Sequence, residues 1–490
     1  MAASFRSSVS VDVIRKQCRS WTVHCRKINQ SVLEKKHEVT TTTEEKSGKQ
    51  DKKLQIQLDH WVSQGLADDS LNHKKHPGRI VLPTVTVPKR LAEAASVLIE
   101  KYPIKNISHS AGKLANYLWS RHAPLSDAEI NKLAQQMEQE IIAERSKKGK
   151  EIPVQKDEIL QKLRRKTYHW KPVMYDAYKS LLHLTARMAS DYAVILQCFN
   201  EISSRVPDFV PRSIYNLGSG LGSVIWAGNV TWGERVFEYY CVDKSQDMNT
   251  MARLLLQDGE CQKQMHIPGV TFRQFPPSAF ANKFTMVVSA YTLLEHAGKE
   301  ERLQTIEALW HMTEDFLVLV ENGTAAGFSL IYEARNHLLQ MADSANSEHL
   351  QGYVFAPCPH DQACPRITNK NIPCFFKTDF THLKENVAQS NKDFVRYSYV
   401  ILRKGRRPEG EEWPRVVQDV VMPSKHSHCH LCCADGSAQH VIITQTRHGK
   451  DLYKCTRYTV WGDRLPVKIS AGLSQNEDHT MADKSGKYNS

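Results

Sequence analysis

A chain of 490 residues is too long for one core, so two or three domains are expected. Lys and Arg number 65 against 53 Asp and Glu, and the resulting +12 suits a polyanionic partner, RNA or DNA before membrane. No apolar run is long enough to span a bilayer, and the 12 scattered cysteines lack the dense pattern of a secreted disulfide scaffold, which leaves reduced thiols or metal ligands.

Residues 1–30 carry Arg6, Arg15, Lys16, Arg19, Arg26 and Lys27 against the single acid Asp12, with Ser4, Ser7, Ser8, Ser10 and Ser20 between them. That Arg-rich, Ser-rich, acid-poor composition predicts a mitochondrial presequence and a matrix location; a basic disordered tail is the alternative. Residues 31–74 are expected to be a disordered linker, because EVTTTTEEKSGKQDKK at 38–53 is polar and low in complexity. The polar stretch 473–490 is expected to be a disordered tail.

Residues 75–205 are predicted to form a helical, RNA-facing region. Ser126-Asp-Ala-Glu129 is a capping box ahead of Ile130, Leu133, Met137 and Ile141, and a second helical stripe runs through Met174, Tyr178, Leu181, Thr185, Met188, Tyr192, Leu196 and Phe199. Both read as core faces, since burying such a stripe is what stabilises a helix. Between them, Lys162, Arg164, Arg165, Lys166 and Lys171 surround Tyr168, His169 and Trp170. Cations to neutralise phosphates and rings to stack on unpaired bases suit RNA; a solvated charged helix face explains the run equally well.

From Ile214 the pattern alternates strand and helix, the mark of an α/β domain, placed at 206–405. Ile214-Tyr-Asn-Leu217 runs straight into Gly218-Ser-Gly220-Leu-Gly222, glycines that permit positive φ and close backbone approach to a ligand. RVFEYYCVD ends at Asp243, about twenty residues on, where an acid meets ribose hydroxyls in doubly wound cofactor folds. FTMVVSA (284–290), FLVLVENG (316–323) and FVRYSYVILRKG (394–405) supply further strands, and no phosphate-binding lysine follows the glycines, which argues against a P-loop. The alternative, a glycine turn serving only tight strand-to-helix packing, leaves Asp243 unexplained.

This arrangement resembles the S-adenosylmethionine-dependent methyltransferases with a Rossmann-like sheet. The resemblance implies that Gly218, Gly220 and Gly222 line the methionine end of the cofactor and that Asp243 holds its ribose. Asn216 stands where these enzymes commonly carry an acid; its amide still bonds the cofactor ammonium but brings no charge, so binding is expected to be weakened and not lost. Amino-directed methyltransferases often place an Asp or Asn, two prolines and an aromatic after the fourth strand, whereas this chain has Ser289-Ala-Tyr-Thr292. No cysteine nucleophile lies beside that strand, and nothing marks Tyr291, Glu295 or His296 as catalytic, so no catalytic residue is assigned.

Cys358, Cys364 and Cys374 fall in a stretch broken by Pro357, Pro359, Pro365 and Pro373, and HSHCHLCCADG adds Cys429, Cys432 and Cys433. A segment without periodicity has no core to pack, so a metal explains these cysteines better than packing does. Spacing alone leaves zinc and an iron–sulfur cluster open. The segments NLGSGLGSVIWA, LVLVENGTAAGFSLIYEAR, CPHDQACP, HCHLCC and RHGKDLYKCTRYTVWGD together resemble a family of mitochondrial small-ribosomal-subunit assembly factors, methyltransferase-like and iron–sulfur-containing, with bacterial and yeast relatives. The resemblance spans roughly residues 75–470. It implies a 4Fe–4S cluster on Cys358, Cys364, Cys374 and Cys432, with Cys433 the rival fourth ligand and Cys429 a bystander. It also implies retained S-adenosylmethionine binding and association with small-subunit ribosomal RNA and proteins.

The expected architecture is a class I methyltransferase-like α/β sheet with a helical N-terminal region, a cysteine-bearing insertion at 344–376 and a β-rich C-terminal segment at 406–472 that completes the cluster site. Arg447, His448, Lys450, Tyr453, Lys454 and Arg457 are expected on short strands there. The expected function is ribosome assembly needed for mitochondrial translation, with little or no methyl transfer. The protein is expected to be monomeric when free, with neither membrane nor DNA as partner. An active ribosomal RNA methyltransferase is the alternative, and a redox or iron sensor is compatible with both.

Overall fold

A computed structural model describes residues 54–122, 127–147, 155–167, 172–277, 282–296, 298–344, 350–367, 372–383, 391–410 and 412–471. The expected presequence, the C-terminal tail, Ser126 of the capping box and Tyr168 to Lys171 of the basic–aromatic run lie outside these residues. The chain opens with β1 (Leu54–Leu58) and α1 (His60–Ala67). The reading of 31–74 as a disordered linker is therefore corrected from Leu54 onward. Asp59 accepts from the Trp61 N–H as a helix cap and from Trp413 Nε1 at 3.0 Å, and α1 buries Val62 and Leu66 against Trp413 and Cys455. Those contacts supply the burial that the polar segment lacks by itself.

Helices α2 (Lys89–Lys101), α3 (Ile107–Ser120), α4 (Asp127–Lys147), α5 (Lys156–Thr167) and α6 (Ala177–Arg205) follow. The Asp176 side chain caps α6 by accepting from the Lys179 N–H at 2.7 Å. Its stripe packs into the main core at Leu181, Met188, Tyr192 and Phe199, whereas Met174 precedes the helix and is exposed, as is Tyr178. Met137 and Ile141 of α4 are likewise buried.

The central unit comprises β2 (Ser213–Leu217), α7 (Ser223–Trp232), β3 (Glu238–Val242), α8 (Gln246–Leu256), β4 (Val270–Arg273), β5 (Phe284–Ala290), α9 (Lys299–Met312), β6 (Thr313–Asn322), α10 (Ala325–Ser344), β7 (Gly352–Ala356), β8 (Phe376–Thr381) and β9 (Lys392–Lys404). The strand order is β4-β3-β2-β5-β6-β9-β7, with β8 also on β9. The first five strands run parallel, and β9 is antiparallel to both β6 and β7. Separate cores cover the two faces, which is why β6 reads as a continuous apolar run, Phe316 to Val320, and not as an alternation. The strand order reverses beside β2, and in such sheets a ligand crevice opens there, at the carboxyl ends of the strands.

Beyond this sheet, β10 (Arg415–Val416), β11 (His426–Cys432) and β12 (Ala438–Thr444) form a three-stranded antiparallel sheet, and β13 (Val467–Ala471) pairs with β1. Arg447 to Arg457 do not lie on strands: α11 (Gln445–His448) and α12 (Lys450–Tyr458) carry them. Thr444 caps the first by accepting from the Arg447 N–H, and α12 buries Leu452, Cys455 and Thr456 at helical spacing. The alternation of basic and aromatic residues hid an apolar period of 3.6. Asp463, of the Trp-Gly-Asp segment, is fully buried and accepts from the N–H groups of Ile80, Val81 and Val460, so it ties residues 80–81 to the C-terminal segment.

Candidate functional site

At the carboxyl ends of β2, β3, β5 and β6 lies a cavity of about 510 Å³. Gly218, Gly220 and Gly222 take φ of +69°, +50° and +81°. The N–H groups of Gly218 and Ser219 donate to the Val242 carbonyl at 2.8 and 3.0 Å, which folds the loop over the end of β3. A Cβ on Gly218 would stand 2.1 Å from Thr292 Oγ1, so that position tolerates no side chain. Asp243 accepts from the Gly220 N–H and the Ser245 N–H, each at 2.9 Å, and burial raises its carboxyl above the ordinary value. The acid foreseen as a ribose ligand thus also fixes the glycine loop. Asn216 is buried, and its Oδ1 has no protein partner, nor has Ser219 Oγ. Asn216, Gly218, Gly220 and Asp243 line the cavity, whereas Gly222 turns the chain into α7 from outside it. Unpartnered buried acceptors beside a side-chain-free loop fit a ligand with an ammonium and hydroxyls to donate.

The N-terminal region roofs this cavity. Arg121 pairs with Glu295 and donates to the Leu294 carbonyl at 3.3 Å, while the Val173 N–H donates to Glu295 at 3.1 Å. From α6, Arg187 pairs with Asp191 at 2.7 Å and lies over the Tyr291 ring, 4.6 Å from its centroid. Burial pushes Asp191 up to about 6, against the pull of Arg187. Glu321, at the end of β6, accepts from the Leu293 and Leu294 N–H groups, and burial still raises it to about 7. Tyr291, Glu295 and His296 line the same space. Sequence reasoning missed Arg121, Arg187, Asp191 and Glu321. The detectable signal was an Arg–Asp pair four residues apart inside an otherwise apolar helix face.

A second site gathers thiols from two distant segments. Cys358, Cys364 and Cys374 line a cavity of about 30 Å³ between α10 and β9. Cys432, the last residue of β11, hydrogen-bonds Cys358, and His360 Nε2 lies 3.3 Å from its Sγ. The ligand atoms of Cys358, His360 and Cys432 are within 4.8 Å of one another. A hydrogen bond from Cys432, aided by Arg335 and Arg415, brings the Cys358 thiol down to about 6 against its burial, while the same bond pushes Cys432 up. Burial and the neighbouring Cys358 raise Cys364 to about 11 and Cys374 further. Cys433 instead packs with Cys429, Leu431 and Val441 in the C-terminal core, its N–H donating to the Ser437 carbonyl. Cys358, Cys364 and Cys432 are buried and Cys374 is half-buried, and gathered at one place these thiols match the donor set of a structural metal or an iron–sulfur cluster. His360 went unforeseen, because one histidine beside a proline carries no pattern.

Two buried arginines hold this loop. Arg335 donates to the carbonyls of His360 and Gln362 at 3.0 and 2.8 Å. Arg415 donates to the carbonyls of Pro357 and Gly462 at 2.9 and 2.8 Å and pairs with Glu201 of α6. Burial works to raise Glu201, yet Arg415 and Arg205 hold its carboxyl below the ordinary value.

The human mitochondrial ribosome assembly protein METTL17 is 39% identical to this chain over 395 residues, 81% of this chain and 86% of the relative. Two mitochondrial Rsm22-cox11 tandem proteins of Schizosaccharomyces pombe are each 27% identical over 39% of this chain, which spans only 30% of their length. Among solved structures, the Synechocystis magnesium protoporphyrin IX methyltransferase with bound SAM shares 12% identity over 49% of this chain and 90% of its own, at a TM-score of 0.30, a likeness too distant to carry an argument. The family model of the mitochondrial small ribosomal subunit protein Rsm22 matches residues 177–466, and to that family this chain belongs.

Proposed function

We propose that the chain is an rRNA-binding assembly factor of the mitochondrial small ribosomal subunit, with S-adenosylmethionine in its larger cavity and a 4Fe–4S cluster on Cys358, Cys364, Cys374 and Cys432. The observation that carries the reading is the convergence of those thiols from an insertion and from the C-terminal sheet, on a chain 39% identical to a human ribosome assembly protein. A metal centre shared by two segments couples their folding. Asn216, Gly218, Gly220 and Asp243 are the residues to hold the cofactor, which when bound supplies an activated methyl group. The chain offers that group little help: Ser289 to Thr292 place no amide or proline clamp, and the Arg121–Glu295 pair closes the roof. Methyl transfer is therefore slight or absent.

The domain plan belongs to the same proposal. Residues 1–30 direct import to the matrix, 75–205 face RNA, 206–405 form the methyltransferase-like unit and 406–472 complete the cluster site, with the net charge of +12 supporting a polyanionic partner. A second reading, active rRNA methylation, is favoured by Glu321, a buried carboxyl held near 7 in the cofactor cavity, as a general base requires. Crosslinking the anaerobically purified protein to ribosomal RNA while following labelled methyl transfer decides between them. Crosslinks without transfer, together with four iron and four sulfide per chain, are expected. Turnover abolished by Glu321→Gln would establish the enzyme instead, and zinc in place of iron would remove the cluster. A reporter fused to residues 1–30 and left in the cytosol would refute the leader.

A further inference from the structure

Alternation along β11 puts His426, His428, His430 and Cys432 on one face, while Ser427, Cys429 and Leu431 turn into the core. Accessibility falls along that face, from exposed His426 through half-buried His428 and His430 to buried Cys432. β12 places exposed His440 directly across from His430. His428 Nδ1 and His440 Nε2 are 3.1 Å apart, and the rings of His430 and His440 stack with centroids 4.4 Å apart and planes 7° from parallel. No carboxylate pairs with these three rings among the described residues, so no acid accounts for their gathering.

The spacing has a chemical reading. A tetrahedral zinc holds imidazole nitrogens at about 2.0–2.1 Å, which sets two of them about 3.3 Å apart. The His428–His440 separation is close to that bite. His430, stacked on His440, stands beside that pair on the same sheet face, and imidazole donors suit Zn, Cu, Fe and Ni. We propose that His428, His440 and His430 form a surface site for a divalent transition-metal ion, separate from the four thiols but on the strand face that ends in Cys432. At about 3.4 Å per residue, His430 and Cys432 are about 7 Å apart along the strand. The ion therefore sits at the solvent end of a row of ligands whose inner end is the thiol site. The proposal does not depend on what the thiols hold.

The test uses the full chain, purified anaerobically without an affinity tag and dialysed at pH 7.5 against Zn²⁺ in a weak chelator. One zinc per chain above the metal content of the thiol site is expected. In His428→Gln/His440→Gln that ion should be lost, or its affinity lowered about tenfold or more, with iron, sulfide and melting temperature unchanged. His382→Gln, which alters an exposed histidine paired with Asp393, should leave binding as it was. Equal zinc binding by the double variant and the parent overturns the proposal. Should the double variant fail to fold, His440→Gln alone repeats the comparison at an exposed position. Cobalt gives an independent readout: visible d–d bands without sulfur charge transfer are expected, and a sulfur charge-transfer band would put the ion on the thiols and refute the site.

Discussion

Arg415→Met tests how the C-terminal sheet, the thiol loop and α6 are held together. The guanidinium is 2% exposed, bonds the carbonyls of Pro357 and Gly462 and faces Glu201, itself 1% exposed. Removing one member of a buried pair costs about 3–5 kcal/mol, and the lower end applies here because Arg205 still faces Glu201. Each carbonyl left without a donor adds about 1 kcal/mol or more. The sum is about 5 kcal/mol, because such losses are not fully additive. With an unfolding entropy of about 2.1 cal/mol/K per residue over the unit Leu54–Ala471, Tm should fall by about 5–6 °C. Most of that loss is the carboxylate left with one arginine in place of two, so Arg415→Met/Glu201→Gln should melt between the single variant and the parent. Tyr399 and Arg205 still reach the new amide. Anaerobic melting curves at matched metal content provide the comparison. A double variant no more stable than Arg415→Met, or a single variant within a degree of the parent, would refute the reasoning.

Gly218→Ala puts a Cβ 2.1 Å from Thr292 Oγ1 in a left-handed conformation, so the loop must shift in the cavity wall and calorimetry should show S-adenosylmethionine affinity down about tenfold or more. Unchanged affinity would move the cofactor elsewhere. Cys432→Ser should lose iron and sulfide in anaerobic preparations while Cys433→Ser keeps them; the reverse would make Cys433 the fourth ligand. Glu321 has a folded value near 7 against 4.5 for its ordinary carboxyl, so ionising it opposes folding increasingly as pH rises from about 4.5 to 7. Glu321→Gln should therefore raise Tm over the parent at pH 8 and much less at pH 5; an equal shift at both would show that the carboxyl is not buried as described.

The sheet was legible because its signals are local. FTMVVSA coincides with β5, and the glycine loop, Asp243 and the buried stripe of α6 stand where the sequence put them. What stayed hidden depends on partners far along the chain. Glu201 meets Arg415, Arg121 meets Glu295, and Asp59 meets Trp413, pairings that no local window contains. The 54–74 stretch looked disordered because its apolar residues are few and their partners come from the other end of the molecule. In 445–458 basic and aromatic residues masked the short apolar period that makes α12 a helix. The thiols were read from clustering, but the separation of Cys432 from Cys433 needed the alternation of β11 to become visible.

The antiparallel ribbon of β1 and β13 matches Leu54 with Ala471 and Leu58 with Val467. A chain emerging from its N-terminus makes β1 first and the strand that covers it last. Until then the backbone donors and acceptors of β1 remain open for mispairing. A contact of such long sequence separation also closes late, since its loop entropy must be overcome before it stabilises anything. Premature termination before Val467 thus leaves β1 without its partner strand.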